Sequence, residues 1–308
     1  MEENKILAIL QENYDFKILS IEFLRDSGGM TYVVSGEEQK YFLKISGRAF
    51  QDTIRQSVDV ICYLSGNDFP VPAIIETKSG MPMLEISEEG QEYLFVLYEY
   101  VEGKEPDLSQ CGGKVGELVG RLHKLLSAYK GELVKRDYRF FIERYVEILR
   151  RKNYPKADTY ADLGAEFWER VKDCSVSVCH GDLHRGNLLE TADGKIYLLD
   201  FDTICIAPRM FDVMVMCDMT DYFNLQPDDI KITGEVYEKF LAGYTRHMKL
   251  TEWEQASFCD WVVIRHFQLQ ATIVEIFGID CIDNDFIDNQ LQWLQSWIAF
   301  CRKEVSHG

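Results

Sequence analysis

HGDLHRGN, residues 180–187, puts two histidines, an aspartate, an arginine and an asparagine into eight consecutive positions, with apolar VSVC before it and LLE after it. A second acidic stretch follows at residues 195–202, KIYLLDFD, which ends a strand-like run on two carboxylates. Polar side chains concentrated between apolar, strand-like runs sit on a loop held by a rigid frame, where chemistry more often than packing sets the residue type.

Two metal chemistries can be weighed against this stretch. His180 and His184 are four apart, as in the zinc motif H-E-x-x-H, but that motif needs a helix and a glutamate directly after the first histidine, where this chain has Gly181. Phosphoryl transfer fits the residue types. The spacing His180-x-Asp182-Leu183-x-x-x-Asn187, followed by Asp200 at the end of a strand, is the arrangement of a kinase catalytic loop and metal site. Asp182 would accept the proton of an acceptor hydroxyl and orient it. Asn187 and Asp200 would offer oxygen ligands to Mg²⁺, a hard cation that prefers carboxylate and amide oxygens. The turn Ala192-Asp193-Gly194 returns the chain so that Asp200 can face Asn187. The plain alternative is a hydrogen-bonded loop without catalysis.

Composition narrows the class. With 308 residues, 46% hydrophobic and 13% aromatic, the chain can bury a core for about two domains or two lobes. The net charge of −18 argues against a nucleic-acid phosphate track. No apolar run approaches the roughly 18 residues of a membrane span, and MEENKILAIL carries acids where a secretory signal carries lysines, so a cytoplasmic protein away from membranes is expected. Nine scattered cysteines without a C-x-x-C pair fit reduced thiols. Residues 201–308 hold 17 acids against 8 bases. That excess is either a solvated acidic surface or a cleft suited to a cationic acceptor.

The first hundred residues read as a short helix (4–11), strands at FKILSIEFL, TYVVS, KYFLKIS, MPMLEIS and YLFVLYEY, and one helix through Ile54, Val58, Ile61 and Leu64. Beyond Glu102 the pattern turns helical, with apolar periodicity from Val115 to Leu125, Phe140 to Leu149, Ala165 to Val171, Glu235 to Met248, Trp253 to Phe277 and Phe286 to Cys301. The expected fold is α+β in two lobes: a strand-rich, nucleotide-binding N-lobe over residues 1–101 and a helical C-lobe over 102–308 carrying the catalytic loop and acceptor site.

HGDLHRGNLL followed by LLDFD resembles the aminoglycoside phosphotransferase and choline kinase-like family of small-molecule kinases, which share the protein-kinase fold but carry glycine where protein kinases usually have arginine. The likeness extends over nearly the whole chain. Ser27-Gly28-Gly29-Met30-Thr31 resembles the nucleotide-covering loop, Lys44 the strand lysine that contacts the α- and β-phosphates, and VLYEYVEG, with Glu99 and Tyr100, the hinge along the adenine. PVPAII and RLHKLL are similar to family segments, and APRMFDV, with Asp212, matches the stretch after the metal aspartate. The resemblance implies Asp182 as base, Asn187 and Asp200 as metal ligands, and ATP or GTP with Mg²⁺ as co-substrate and cofactor. His180 and Asp212 would brace the loop, His184 would meet phosphate or substrate, and Asp202 would assist the metal. The family's N-lobe helix glutamate is missing; Asp52, Gln56 and Asp59 share one helix face, and Asp59 is the candidate partner of Lys44.

The expected function is therefore phosphorylation of a hydroxyl on a small molecule: an aminoglycoside-like compound, a sugar or an amino alcohol. Asp218, Asp221 and Asp260, with Tyr222, Trp253, Trp261 and Phe267, are the residues that would suit a cationic acceptor. A non-catalytic pseudokinase or scaffold, and a Ser/Thr protein kinase-like enzyme, are the alternatives; no A-P-E segment follows LLDFD. Oligomeric state is not readable from the chain.

Overall fold

The computed structural model describes residues 2–26, 29–47 and 51–305. The chain forms two compact units: residues 1–106, 129–132 and 186–204 make the first, and 107–128, 133–185 and 205–308 the second.

The first unit opens with α1 (Glu3–Asn13) and an antiparallel sheet of β1 (Ile18–Asp26), β2 (Met30–Gly36), β3 (Lys40–Gly47), β4 (Leu84–Glu88) and β5 (Gln91–Glu99), in the order β1-β2-β3-β5-β4. Alternation decides its layers. Phe95 and Leu97 on β5 join Ile6, Leu10, Tyr32, Val34, Leu43 and Ile45 in one apolar cluster beneath α1. Leu94 and Val96 point to the other face, where α2 (Gln51–Ser65) packs on β3 and β5 through an apolar stripe of Ile54, Val58, Ile61 and Leu64. All five strands and both helices coincide with those expected from periodicity, within a few residues at their ends.

The second unit begins at α3 (Leu108–Leu126), whose Asp107 caps it by accepting the Ser109 N–H at 3.0 Å. A π-helical turn (Arg139–Glu143) leads into α4 (Arg144–Arg151), then come α5 (Ala157–Val171) and β6 (Val176–Cys179). The chain then contributes the hairpin β7 (Leu188–Glu190) and β8 (Ile196–Leu198) to the first unit, where Lys104 exchanges backbone bonds with Glu190 and the Leu198 N–H donates to the Pro70 carbonyl at 2.9 Å. The division therefore does not fall at a single cut near residue 101: the hairpin groups with Lys104 and Pro70, which it bonds.

Back in the second unit, β9 (Cys205–Pro208) pairs antiparallel with β6, and α6 (Met210–Cys217), α7 (Pro227–Tyr244), α8 (Glu252–Ala256), α9 (Phe258–Phe277) and α10 (Asn284–Val305) follow. The helix expected from Glu235 starts at Pro227 instead, because Gln226 and Asp229 form a capping box and proline is well suited to the first helical position. The helix expected over 253–277 is two, since Ser257 ends α8 and Thr251 with Glu254 caps its start. Helices α3 and α7 lie unusually close: a Cβ on Gly116 would come within 2.0 Å of the Phe240 carbonyl, and one on Gly243 within 2.0 Å of the Gly113 carbonyl. Only glycine permits that approach. No helix is long and apolar enough to cross a membrane among the described residues.

Candidate active site

In the first unit, a cavity of about 460 Å³ is lined by Lys44 from β3, Tyr98 and Glu99 from β5, Tyr100 to Gly103 after it, Ser57 and Ile61 from α2, and Asn187, Asp200, Phe201 and Asp202 from either side of the β7–β8 hairpin. The hairpin register is what joins the acidic ends. Leu188 lies opposite Leu198, and the Leu199 N–H donates to the Asn187 carbonyl at 2.9 Å, so Asn187 and Asp200 emerge side by side. Asp200 has φ +59°, left-handed backbone that aspartate tolerates better than most residues. Such a conformation is held only where the surrounding structure over-determines it.

Lys44 is the counter-charge. Its ammonium bonds Asp200 Oδ1 at 3.1 Å and also Asp202 Oδ2, and its side chain is only 11% exposed. Burial alone would pull its pKa down, yet the Asp200 and Asp202 carboxylates outweigh that and leave it raised, so the lysine is firmly cationic. The pairing expected with Asp59 does not form: Asp59 is exposed on α2, outside the cavity lining, while Asp200 and Asp202 take the ammonium. A short carboxylate on the solvent side of an amphipathic helix cannot reach a lysine beneath the opposite face. The α2 residues that do face the cavity are Ser57 and Ile61, and Ser57 Oγ is buried with no hydrogen-bond partner among the described residues.

The fit to a divalent cation rests on this donor set. Asn187, with its amide oxygen, and the Asp200 carboxylate both line the cavity, with a second carboxylate two residues on; all are hard oxygen donors, and a cation, the Lys44 ammonium, already lies against Asp200. Glu99 and Tyr100 line the same cavity, and the Glu99 N–H is taken by the Ala73 carbonyl at 2.8 Å. Gly29 lies against β3, where a Cβ would meet the Ile45 carbonyl at 2.9 Å; Ser27 and Gly28, the other candidates of that loop, lie outside the described residues.

The second unit holds Asp182 and its frame. Gly181 has φ +86°, a left-handed turn after β6 that glycine makes without strain and that turns the loop off the strand. Asp212, in the first turn of α6, accepts the His180 N–H at 2.6 Å and the Gly181 N–H at 2.9 Å. It is fully buried. Burial would raise its pKa, but the His123 hydrogen bond and charge, His180 and the Gly181 N–H outweigh that and hold it low. His123 Nε2 lies 3.1 Å from Asp212 and its Nδ1 2.8 Å from the Tyr244 hydroxyl, so both ring nitrogens are used. His123, Cys179 and Asp212 lie close enough to share a metal ion, but the Asp212 oxygens already accept two N–H groups. They form a structural brace. His180, fully buried, also offers Nδ1 to the Asp182 N–H at 3.4 Å.

Asp182 itself is half-exposed. Its Oδ1 accepts Arg265 Nη2 from α9 at 3.0 Å, and His184 Nε2 lies 3.6 Å from its Oδ2. Sequence reading did not single out Arg265, because 83 positions separate it from Asp182 and nothing local marks it. Ser57 carried a signal, as a polar residue inside the apolar stripe of α2. Trp261 and Phe267, candidates for an acceptor wall, are fully buried core.

A family model described as phosphotransferase enzyme family, APH, matches residues 22–258. An uncharacterised protein of Synechocystis sp. is 24% identical over 248 residues, 73% of this chain and 65% of that protein, so the chain spans just under two thirds of that relative's length. A homoserine kinase of Zymomonas mobilis subsp. mobilis is 22% identical over 263 residues, 79% of this chain and 76% of that one. The structure of the amicoumacin kinase hAmiN in complex with AMP-PNP, Ca²⁺ and Ami superposes with a TM-score of 0.76 at 20% identity, over 99% of this chain and 94% of that chain. The fold is thus the two-lobe, protein-kinase-like one. With the family model covering most of the chain, and a lysine, an asparagine and two aspartates gathered at one cavity, the chain belongs to the phosphotransferase enzyme family.

Proposed function

We propose that this protein transfers the γ-phosphoryl group of ATP or GTP to a hydroxyl of a small molecule. The observation that carries the reading is the Lys44–Asp200 ion pair at the wall of a cavity that Asn187 also lines. Lys44 would bind the α- and β-phosphates, its charge secured by Asp202, and the chain from Glu99 to Gly103 would lie along the nucleobase. Asn187 and Asp200 would hold Mg²⁺, which supplies charge neutralisation at the phosphates when bound. Asp182 would accept the hydroxyl proton as the acceptor oxygen bonds to the γ-phosphorus and the bond from that phosphorus to the β-phosphate oxygen breaks, releasing the nucleoside diphosphate. The homoserine kinase relative supports an acceptor of small size, and a cytoplasmic setting goes with this reading.

The test is Mg²⁺-dependent release of nucleoside diphosphate across a panel of sugars, amino alcohols, hydroxy acids and aminoglycosides, run beside Asp182→Asn and Asp200→Asn. Turnover with one acceptor, lost in both variants, supports the assignment. Turnover undiminished in Asp182→Asn would remove the base. A non-catalytic nucleotide-binding protein is the second reading, motivated by the absence of an α2 acid at Lys44 among the described residues. Nucleotide-induced thermal stabilisation without turnover on any acceptor would favour it.

A further inference from the structure

On a chain of net charge −18, three guanidinium groups collect on one aromatic floor in the second unit. Arg136 and Arg144 lie over the Phe140 ring, 4.1 and 4.2 Å from its centroid, and Arg265 lies 5.7 Å over Phe211. Both rings contact Phe141, at 5.1 and 4.9 Å. A polar chain joins the cations to the base: Arg144 Nη2 donates to Thr272 Oγ1 at 3.4 Å, Gln268 Nε2 donates to the same oxygen at 3.1 Å, Arg265 Nη1 donates to Gln268, and Arg265 Nη2 donates to Asp182.

Carboxylates lie beside two of these cations, with buried Asp218 also close enough to Arg265 to feel its charge. Arg144 has Glu275 and Arg265 has Asp182, but Arg136 has no carboxylate partner among the described residues. Burial lowers the Arg144 pKa; Glu275 raises it in part, and Arg136 nearby lowers it again. The acids expected to face a cationic acceptor have partners within the fold. Asp218 accepts the Thr220 N–H and hydroxyl on Oδ1 and the Tyr222 hydroxyl on Oδ2, Asp221 accepts the Phe223 N–H, and Asp260 faces Arg170 at 3.4 Å.

We propose that the acceptor carries a carboxylate close to its hydroxyl, and that Arg265 is the specificity-determining residue that binds it. This deepens the phosphotransfer reading and rests on Asp182 being the base. Arg265 is rigidly placed, 11% exposed and backed by Gln268. Its planar fork matches a carboxylate in two parallel bonds. An acceptor carboxylate arriving there shares Arg265 with Asp182 and sets its own neighbouring hydroxyl beside the proposed base. A neutral or cationic acceptor offers Arg265 no such contact.

The experiment compares hydroxy acids of three to five carbons with their primary amides and the matching amino alcohols, in saturating Mg²⁺ and ATP or GTP, with acceptor-independent nucleotide hydrolysis and nucleotide affinity measured alongside. The acids are expected to exceed their amides by about tenfold or more in kcat/KM, mainly through KM. Arg265→Gln is expected to reduce that ratio to about threefold or less, and Arg265→Lys to restore part of it while nucleotide affinity stays unchanged. Preference for amides or amino alcohols, a ratio that survives Arg265→Gln, or nucleotide hydrolysis with no hydroxy acid phosphorylated would each overturn the proposal. Absence of nucleotide binding altogether defeats the phosphotransfer reading instead, and the proposal with it.

Discussion

Asp202 holds the ammonium of Lys44 from the same short segment that carries Asp200, so the lysine is fixed by the segment after β8 and not by the helix α2. Asp202→Asn is therefore expected to weaken nucleotide binding about three- to tenfold even with all divalent metal chelated, as read by fluorescence titration. A loss seen only when Mg²⁺ is present would instead mean that Asp202 acts through the metal.

Asp212 is a buried carboxylate whose partners are two backbone N–H groups and an imidazole. Asp212→Ala leaves those donors unpaired and is expected to cost about 3–5 kcal/mol in urea unfolding. Because the folded pKa of Asp212 is depressed, its contribution is present above the unfolded carboxylate range and is lost as pH falls through the folded value. The Ala variant should show a flatter acid limb than the parent.

Gly181 sits at φ +86° between the brace and the proposed base. Gly181→Ala is expected to cost about 1–2 kcal/mol in stability from the left-handed backbone. Turnover should fall by more than that strain alone would suggest, since Asp182 is the next residue. Steady-state kinetics beside chemical denaturation separates the two effects.

His266 on α9 is fully buried, packed against Tyr222 at 5.4 Å and Trp293 at 4.9 Å, and burial pushes its pKa down to about 3. The unfolded chain takes up a proton near pH 6.5 that the folded chain refuses until about 3, so stability falls with acidification across that window. The slope approaches about 1.4 kcal/mol per pH unit from this residue. His266→Phe is expected to reduce that slope in urea midpoints measured from pH 7 to pH 4.

Much of this was legible in the chain because two periodicities and one spacing rule carried it. The strands of the first unit alternate, α2 and α3 show an apolar stripe, and Asn187 and Asp200 are brought together by a hairpin whose turn is visible at Asp193-Gly194. Helix α6 was not legible: all eight residues from Met210 to Cys217 are buried, so it has no polar face and no period to read. Nor was the partner of Lys44. The family resemblance suggested Asp59 in place of the missing helix glutamate, but which face of α2 looks at β3 is decided by packing of Ile54, Val58 and Ile61, and that packing turns Asp59 to solvent. Arg265 escaped for a related reason, since a tertiary contact between α9 and the 180–187 loop leaves no local trace.

Asp182 is the proposed base, and Lys44, Asn187 and Asp200 are the proposed holders of the Mg²⁺-nucleotide. The most direct measurement pairs turnover with Mg²⁺-nucleotide affinity in Asp182→Asn. Turnover reduced about a hundredfold or more, with affinity within about threefold of the parent, is the predicted result. Turnover retained at the parent rate would contradict it.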